Sequence, residues 1–135
     1  MARVLIAEDD DLVAEILSNA LMDAGHAAGV IADGTQALRT ILAQKPDIVL
    51  LDCDLPGTHG VSILKQIRLD PNLWRIPVLM LTGCRSRSDE EIALYAGANG
   101  YLRKPFDPDY VVYRLEEALA SRQQSLSPNT GRPAC

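Results

Sequence analysis

The chain is poor in aromatic residues, which make up 4% of its 135 residues, and it has only three cysteines. Cys53, Cys84 and Cys135 show neither CxxC nor Cys/His ligand spacing, so neither a disulfide framework nor a zinc site is indicated. Free thiols in a reducing cytosol are the expectation. Clustered basic residues are also missing: the formal net charge is −5, and no Lys/Arg stripe interrupts it. Direct nucleic-acid binding by this domain is therefore not expected, and neither is attraction to an anionic membrane surface. No apolar run approaches a membrane span, and Arg3 followed by four apolar residues and then acid is too short for a signal peptide. A cytoplasmic protein follows. Internal repeats are absent as well. What remains, about half apolar and a quarter charged, describes one ordinary globular domain with enough aliphatic material for a core.

Two periodicities alternate along the chain. Short runs rich in Val, Ile and Leu occur at Val4–Ala7, Ile48–Leu51 and Val78–Leu81, with weaker ones at Ala27–Ile31 and Gly100–Leu102. Helical spacing lies between them. Leu12, Val13, Ile16, Leu17, Ala20 and Leu21 form one stripe, Ala37, Leu38, Ile41 and Leu42 a second, and Val61, Leu64 and Ile67 a third. Ser88–Ala96 reads as a shorter polar helix, and Tyr110–Leu119 as the last. Asp10 or Asp11 can cap the first helix, Gly25 can end it, and Asp33-Gly34 opens the second. The third helix starts near Gly60. Strands apolar throughout need cover on both sides, so five βα units predict an α/β, doubly wound parallel sheet. The domain spans residues 1–122. Residues 123–135, rich in Ser, Pro, Asn and Gly, read as a flexible tail or the start of a linker.

The strong strands end in reactive residue types. The first runs into Glu8-Asp9, the third into Asp52-Cys53-Asp54, the fourth into Thr82, and the fifth reaches Lys104-Pro105. In open α/β sheets, ligands bind beyond the carboxyl ends of strands where strand order reverses. With order 2-1-3-4-5, Glu8, Asp9 and Asp52 converge there, and Thr82 and Lys104 close the far side. Three carboxylates in one crevice repel each other unless something positive is present, and Mg²⁺ takes such oxygen ligands while keeping waters. Lys104 adds a second positive charge and Thr82 a hydroxyl, the parts needed around a phosphoryl group. Asp52 is then the natural nucleophile, forming an aspartyl phosphate.

The set Glu8-Asp9, Asp52, Thr82 and Lys104-Pro105 resembles the receiver domain of two-component response regulators, the chemotaxis-regulator-like, flavodoxin-like (βα)5 fold. So do the runs Val4-Leu5-Ile6-Ala7, Leu50-Leu51-Asp52, Leu55-Pro56-Gly57, Pro77-Val78-Leu79-Met80-Leu81-Thr82 and Ala96-Gly97-Ala98-Asn99-Gly100-Tyr101. The likeness covers Met1 to about Arg122. It implies that Asp9 and Asp52 bind Mg²⁺ directly, that Glu8 acts mainly through water, and that the Asp54 backbone carbonyl completes the protein ligands. It also implies that Asp52 accepts the phosphoryl group from a sensor histidine kinase or phosphotransfer protein. Thr82 and Lys104 contact that group, Tyr101 is the aromatic that turns with the switch, and the Lys104–Pro105 bond is cis. Asp54 and Cys84 occupy the positions bordering the hydrolytic water's approach, and so are candidates for setting phosphoryl lifetime. His59, Leu55 and Gly83 depart from the commonest residues of the family without removing a chemical group.

Each residue alone has a plainer reading: acids at a helix start for Glu8–Asp11, a turn residue for Asp52, a strand-ending β-branched residue for Thr82, an exposed charge for Lys104. Only the set overturns these. His26 and His59 read as surface residues. Two other functions compete. Asp52-Cys53-Asp54 resembles the Asp-x-Asp nucleophile motif of haloacid-dehalogenase-type phosphatases, but that family places the motif first and its other residues after it, whereas here the paired acids come first. A binding module that works without phosphorylation is the other, and the complete set argues against it. The chain is accordingly expected to catalyse only its own phosphorylation and dephosphorylation. Its expected partners are the phosphoryl donor and a downstream protein or fused output domain, with no nucleic acid, no membrane, and phosphorylation-dependent dimerisation as one form of response.

Overall fold

A computed structural model describes residues 1–83 and 87–125, with the side chains of residues 87, 88 and 122–125 left aside. The elements run β1 (Arg3–Ala7), α1 (Asp11–Asp23), β2 (Ala27–Ile31), α2 (Gly34–Gln44), β3 (Ile48–Asp52), α3 (Gly60–Leu69), β4 (Val78–Thr82), α4 (Arg87–Tyr95), β5 (Gly100–Arg103) and α5 (Pro108–Ser125). The sheet is parallel throughout in the order β2-β1-β3-β4-β5. That is the order expected, and it leaves the crevice between β1 and β3 at the point where the winding reverses.

The two-residue alternation of a strand divides the core into two layers. Val4, Ile6, Ile48, Leu50, Leu79 and Leu81 pack on one face with Leu17 and Leu21 of α1 and Val111 and Leu115 of α5. Leu5, Ala7, Val49, Leu51, Val78 and Met80 pack on the other with Ile41 of α2, Ile63 and Ile67 of α3 and Ala93 of α4. Every residue of β3 and β4 is buried, which is why these two strands read as unbroken apolar runs. β2 is an edge strand, largely exposed, and its Ala-Ala-Gly start gives the weakest signal of the sheet's outer half.

Helix ends follow local chemistry. The Asp10 carboxylate accepts from the N–H groups of Leu12 (3.0 Å) and Val13 (3.2 Å), and the Asp33 carboxylate accepts from Gln36 N–H (2.9 Å). Asp10 is therefore the cap of α1, and Asp11 its first residue. At the other end Gly25 takes φ +91°, a left-handed turn that closes α1.

The limits of the last helices differ from expectation. α4 begins and ends one residue earlier than Ser88–Ala96, and α5 begins at Pro108, a residue suited to a first helical turn. It also continues to Ser125, three residues past the expected boundary at Arg122. Arg122, Gln123 and Gln124 are good helix formers that carry the helix on without an apolar stripe to announce it. The rest of the expected tail, residues 126–135, lies outside the described residues. His26 is half-buried rather than fully exposed: its side chain is 9% exposed, Nδ1 accepts from Ala2 N–H (3.1 Å), and Nε2 faces Glu116 at 2.9 Å. No helix among the described residues is long and apolar enough to cross a membrane.

Arg68 joins the end of α3 to two loops. Its guanidinium donates to the carbonyls of Gly97 (2.9 Å), Trp74 (3.1 Å) and Ile76 (2.6 Å), and to Asn99 Oδ1 (2.8 Å). Replacing it by methionine keeps most of the packing and strands the three carbonyls, while Asn99 Oδ1 keeps the Val78 N–H (2.8 Å). Arg68→Met is expected to lower the unfolding free energy by about 2–3 kcal/mol, read from urea denaturation; a loss under about 0.5 kcal/mol would show that water satisfies the carbonyls equally well.

Candidate functional site

The register of the sheet brings the strand ends together. Ala7 pairs with Leu51, Asp52 with Leu81, and Thr82 with Arg103, so Glu8, Asp52, Thr82 and Lys104 all fall at the carboxyl edge. Glu8, Asp52 and Thr82 are the buried polar residues of the chain's described part, at 1%, 3% and 0% exposure. Asp9 is exposed at the rim. Carboxylate oxygens of Glu8, Asp9 and Asp52 all lie within 4.8 Å of one another, close enough to share one metal ion.

Lys104 meets this cluster from β5. Its Nζ lies 2.7 Å from Glu8 Oε1 and 3.2 Å from Asp52 Oδ2. The backbone holds it there: Lys104 N–H donates to the Thr82 carbonyl at 2.7 Å, and the Lys104–Pro105 peptide is cis, as the resemblance implies. The other oxygen of Asp52, Oδ1, accepts from Asp54 N–H at 3.0 Å, so both oxygens of this carboxylate have a fixed donor. Glu8 Oε2 accepts from Asp10 N–H at 3.1 Å.

Charge in this crevice is out of balance. Burial first, and the hydrogen bond with Asp52 next, push the Glu8 carboxyl from 4.5 up to about 7, against the opposing pull of Lys104 and Asp10 N–H. Burial alone would lower the Lys104 ammonium, but Glu8 and Asp52 outweigh it and hold the ammonium above its ordinary value. Two buried carboxylates and a third at the rim face one ammonium.

The expected site residues are thus brought together at one edge, with particulars that differ. Glu8 is also paired directly with Lys104. Asp54 is exposed, with its N–H turned to Asp52. Tyr101 is half-buried on β5 opposite Met80, packed against the core layer that holds α2 and α3, with Arg103 over its ring at 6.0 Å. Cys84 lies outside the described residues. Two contacts were not foreseen. Asp10 N–H binds Glu8 as well as opening α1, a bond that a run of four acids does not advertise. Thr35, in the first turn of α2, and Thr58, in the β3–α3 loop, meet through their hydroxyls at 3.1 Å, and a pair so far apart in sequence leaves no local signal.

Comparison with known proteins agrees with this geometry. The response regulator receiver domain family matches residues 4–116. The DNA-binding response regulator MtrA of Mycolicibacterium paratuberculosis is 38% identical over 117 residues, 87% of this chain and 51% of its own. The transcriptional regulatory protein CseB of Streptomyces avermitilis is 38% identical over 132 residues, 98% of this chain and 54% of its own. The chain spans about half the length of the curated relatives it matches. Among solved structures, the chemotaxis response regulator CheY4 of Vibrio cholerae shares the fold at a TM-score of 0.82 with 30% identity, over 87% of this chain and 98% of that one.

These relatives correct the partner expectation drawn from sequence. A phosphoryl donor, a downstream protein or fused output domain, and a dimer, with nucleic acid set aside, leave out DNA, whereas MtrA and CseB are named as a DNA-binding response regulator and a transcriptional regulatory protein. The reason is physical. A net charge of −5 describes this chain's own surface, and it carries no information about a further domain in proteins twice as long.

The Glu8 shift has a consequence for stability. Below pH 4.5 the carboxyl is protonated both folded and unfolded; between 4.5 and about 7 the folded state keeps a proton that the unfolded chain releases. The stabilising contribution is full below 4.5 and is lost as pH rises to about 7. In chelator, wild type is expected to lose on the order of 1–3 kcal/mol more than Glu8→Gln across that window. Urea midpoints at stepped pH measure this, and parallel curves for the two proteins would contradict it.

Proposed function

This chain belongs to the response regulator receiver domain family, and we propose that it is a Mg²⁺-dependent switch that accepts a phosphoryl group on Asp52. The observation that carries the reading is the cluster itself: three carboxylates within 4.8 Å, two of them bridged by the Lys104 ammonium.

The residues fit a magnesium ion. The donors are hard oxygens with no sulfur or imidazole among them, and their charge exceeds what one lysine balances. Asp9, Asp52 and the Asp54 carbonyl would hold the ion, with Glu8 behind them. When bound, it supplies positive charge against the oxygens of a phosphoryl group. The remaining work falls to the chain. A carboxylate oxygen of Asp52 forms the new bond to phosphorus as the bond to the donor, a phosphohistidine of a kinase or phosphotransfer protein, breaks. Asp54 N–H and Lys104 hold that carboxylate in one orientation before the reaction, which removes an entropic cost from the step. Lys104 then meets the phosphoryl oxygens, and Thr82 supplies a hydroxyl from the neighbouring strand end. Movement of Thr82 toward that group gives Tyr101, on the adjacent strand, room to turn, and so alters the surface formed by α4, β5 and α5. The chain turns over no separate substrate. It catalyses only its own phosphorylation and dephosphorylation.

Asp52→Asn keeps the shape and removes the nucleophilic oxygen. Labelling by acetyl phosphate is expected to vanish in this variant, and in wild type when a chelator removes Mg²⁺; label surviving in Asp52→Asn would move the acceptor elsewhere, Asp54 first. Hydrolysis of phosphate monoesters by wild type would instead favour the haloacid-dehalogenase-like reading.

Phosphoryl lifetime gives a second test. The Asp54 side chain is exposed beside Asp52, where its carboxylate can accept a hydrogen bond from an attacking water. Asp54→Ala is expected to slow loss of the label several-fold, within the roughly 10²–10⁴ range of general-base effects at most, while Mg²⁺ affinity stays near wild type. An unchanged decay would leave Asp54 acting only through its backbone.

A further inference from the structure

We infer, resting on the receiver reading above, that the N-terminus of α2 is a template for the β3–α3 loop. Gly34, Thr35, Gly57 and Thr58 are positioning residues that set where the Asp54 carbonyl lies, and through it how tightly the acidic crevice holds a divalent cation.

The loop of residues 53–59 joins the site at its first turn. There Cys53 N–H donates to the Leu81 carbonyl (3.0 Å) and Asp54 N–H to Asp52 Oδ1 (3.0 Å). Those bonds fix the amide side of Asp54, and the residues on its other side take part in aiming its carbonyl. Leu55 is buried at 3% in the core layer of α2 and α3, and it precedes a proline, which restricts it to extended backbone. The Pro56 carbonyl then accepts from Gly34 N–H at 2.8 Å. Peptide planes are rigid. With the Asp54 amide, the Leu55 side chain and the Pro56 carbonyl all anchored, the Asp54–Leu55 peptide between them has little freedom. Its outer anchor belongs to α2.

The fit at that anchor is close on both sides. A Cβ on Gly34 would fall on the Thr58 carbonyl oxygen, so the two backbones touch where a side chain would stand. Gly57 takes φ +83°, and a Cβ there would lie 2.8 Å from Thr35 Oγ1 and 2.9 Å from Asp33 Oδ1. The Thr35 and Thr58 hydroxyls close the contact at 3.1 Å. Gly60 N–H returns the far end of the loop to the Cys53 carbonyl at 3.2 Å. Groups that orient a metal ligand from behind typically change affinity by about 10–100-fold when removed.

The test is calorimetric titration of the full chain with Mg²⁺ alone, beside the melting temperature of each variant. Gly34→Ala and Thr35→Val are expected to weaken Mg²⁺ binding about tenfold, and Thr35→Ser, which keeps the hydroxyl, to stay near wild type. Gly25→Ala is the control. It places a side chain at φ +91° with open space around it, on the α1–β2 corner, and is expected to lower the melting temperature while leaving Mg²⁺ affinity unchanged. Thr35→Val creates no clash and carries the test if Gly34→Ala fails to fold. Wild-type affinity in the Thr35→Val and Gly34→Ala proteins would overturn the inference alone. A wild type that takes up no Mg²⁺ would overturn it together with the metal reading.

Discussion

The Lys104 ammonium lies between two buried carboxylates, 2.7 Å from Glu8 and 3.2 Å from Asp52, and the edge of the sheet is organised around that contact. Burying one unpaired carboxylate already costs several kcal/mol. Here two are buried on adjacent strands, and a third stands at the rim. One cation reaching across from β5 therefore ties three strand ends, those of β1, β3 and β5, into a single electrostatic unit. It does so incompletely, as the Glu8 carboxyl raised to about 7 records. A fold selected for stability alone would bury aliphatic groups here. The deficit leaves the crevice short of positive charge, which is what the proposed metal ion would supply.

Much of this was legible in the chain. Ile48–Asp52 and Val78–Thr82 are buried along their whole length, so their sequences are apolar without interruption and the polar residues that end them stand out. Asp33 and Asp10 announce helix starts because capping is local chemistry. The end of α5 was not legible: Arg122 to Gln124 continue the helix by propensity with no buried face to mark it. Nor was the partial burial of His26, whose ring meets Glu116 and Ala2, ninety and twenty-four residues away. Glu8 was recognised as a site residue, but its direct pairing with Lys104 is fixed by β1 and β5 lying in one sheet with β3 and β4 between them. Pattern reveals what each element does by itself and is silent on which distant side chains complete it.

Partner identity shows a different kind of silence. Acidic composition and the lack of a basic stripe are sound grounds for doubting that this surface grips a polyanion. They are no grounds for a statement about proteins in which a similar domain supplies half the length, as MtrA and CseB do. Charge arguments are local because screening makes them so: fields between exposed groups fade over about 10 Å at 0.1 M salt. A receiver and a domain joined to it present separate surfaces to separate partners.

The division of labour between the core and the carboxyl edge of the sheet would let a rigid core serve the proposed switch. The interior alternation packs aliphatic residues on both faces of every central strand, leaving no slack for motion there. Charged and hydroxyl groups are collected instead at the carboxyl ends, on loops whose backbones are held by a few hydrogen bonds and by contacts of glycine against carbonyl. A change of charge at Asp52 alters the balance felt by Lys104 at once, since Asp52 is one of its two partners. Lys104 is covalently continuous with β5, and β5 carries Tyr101 and borders α4. In the proposed function the path from chemistry to surface would therefore run along one short strand. On that reading it would need no rearrangement of the core, only a shift in how one ammonium divides itself between two carboxylates and a phosphoryl group.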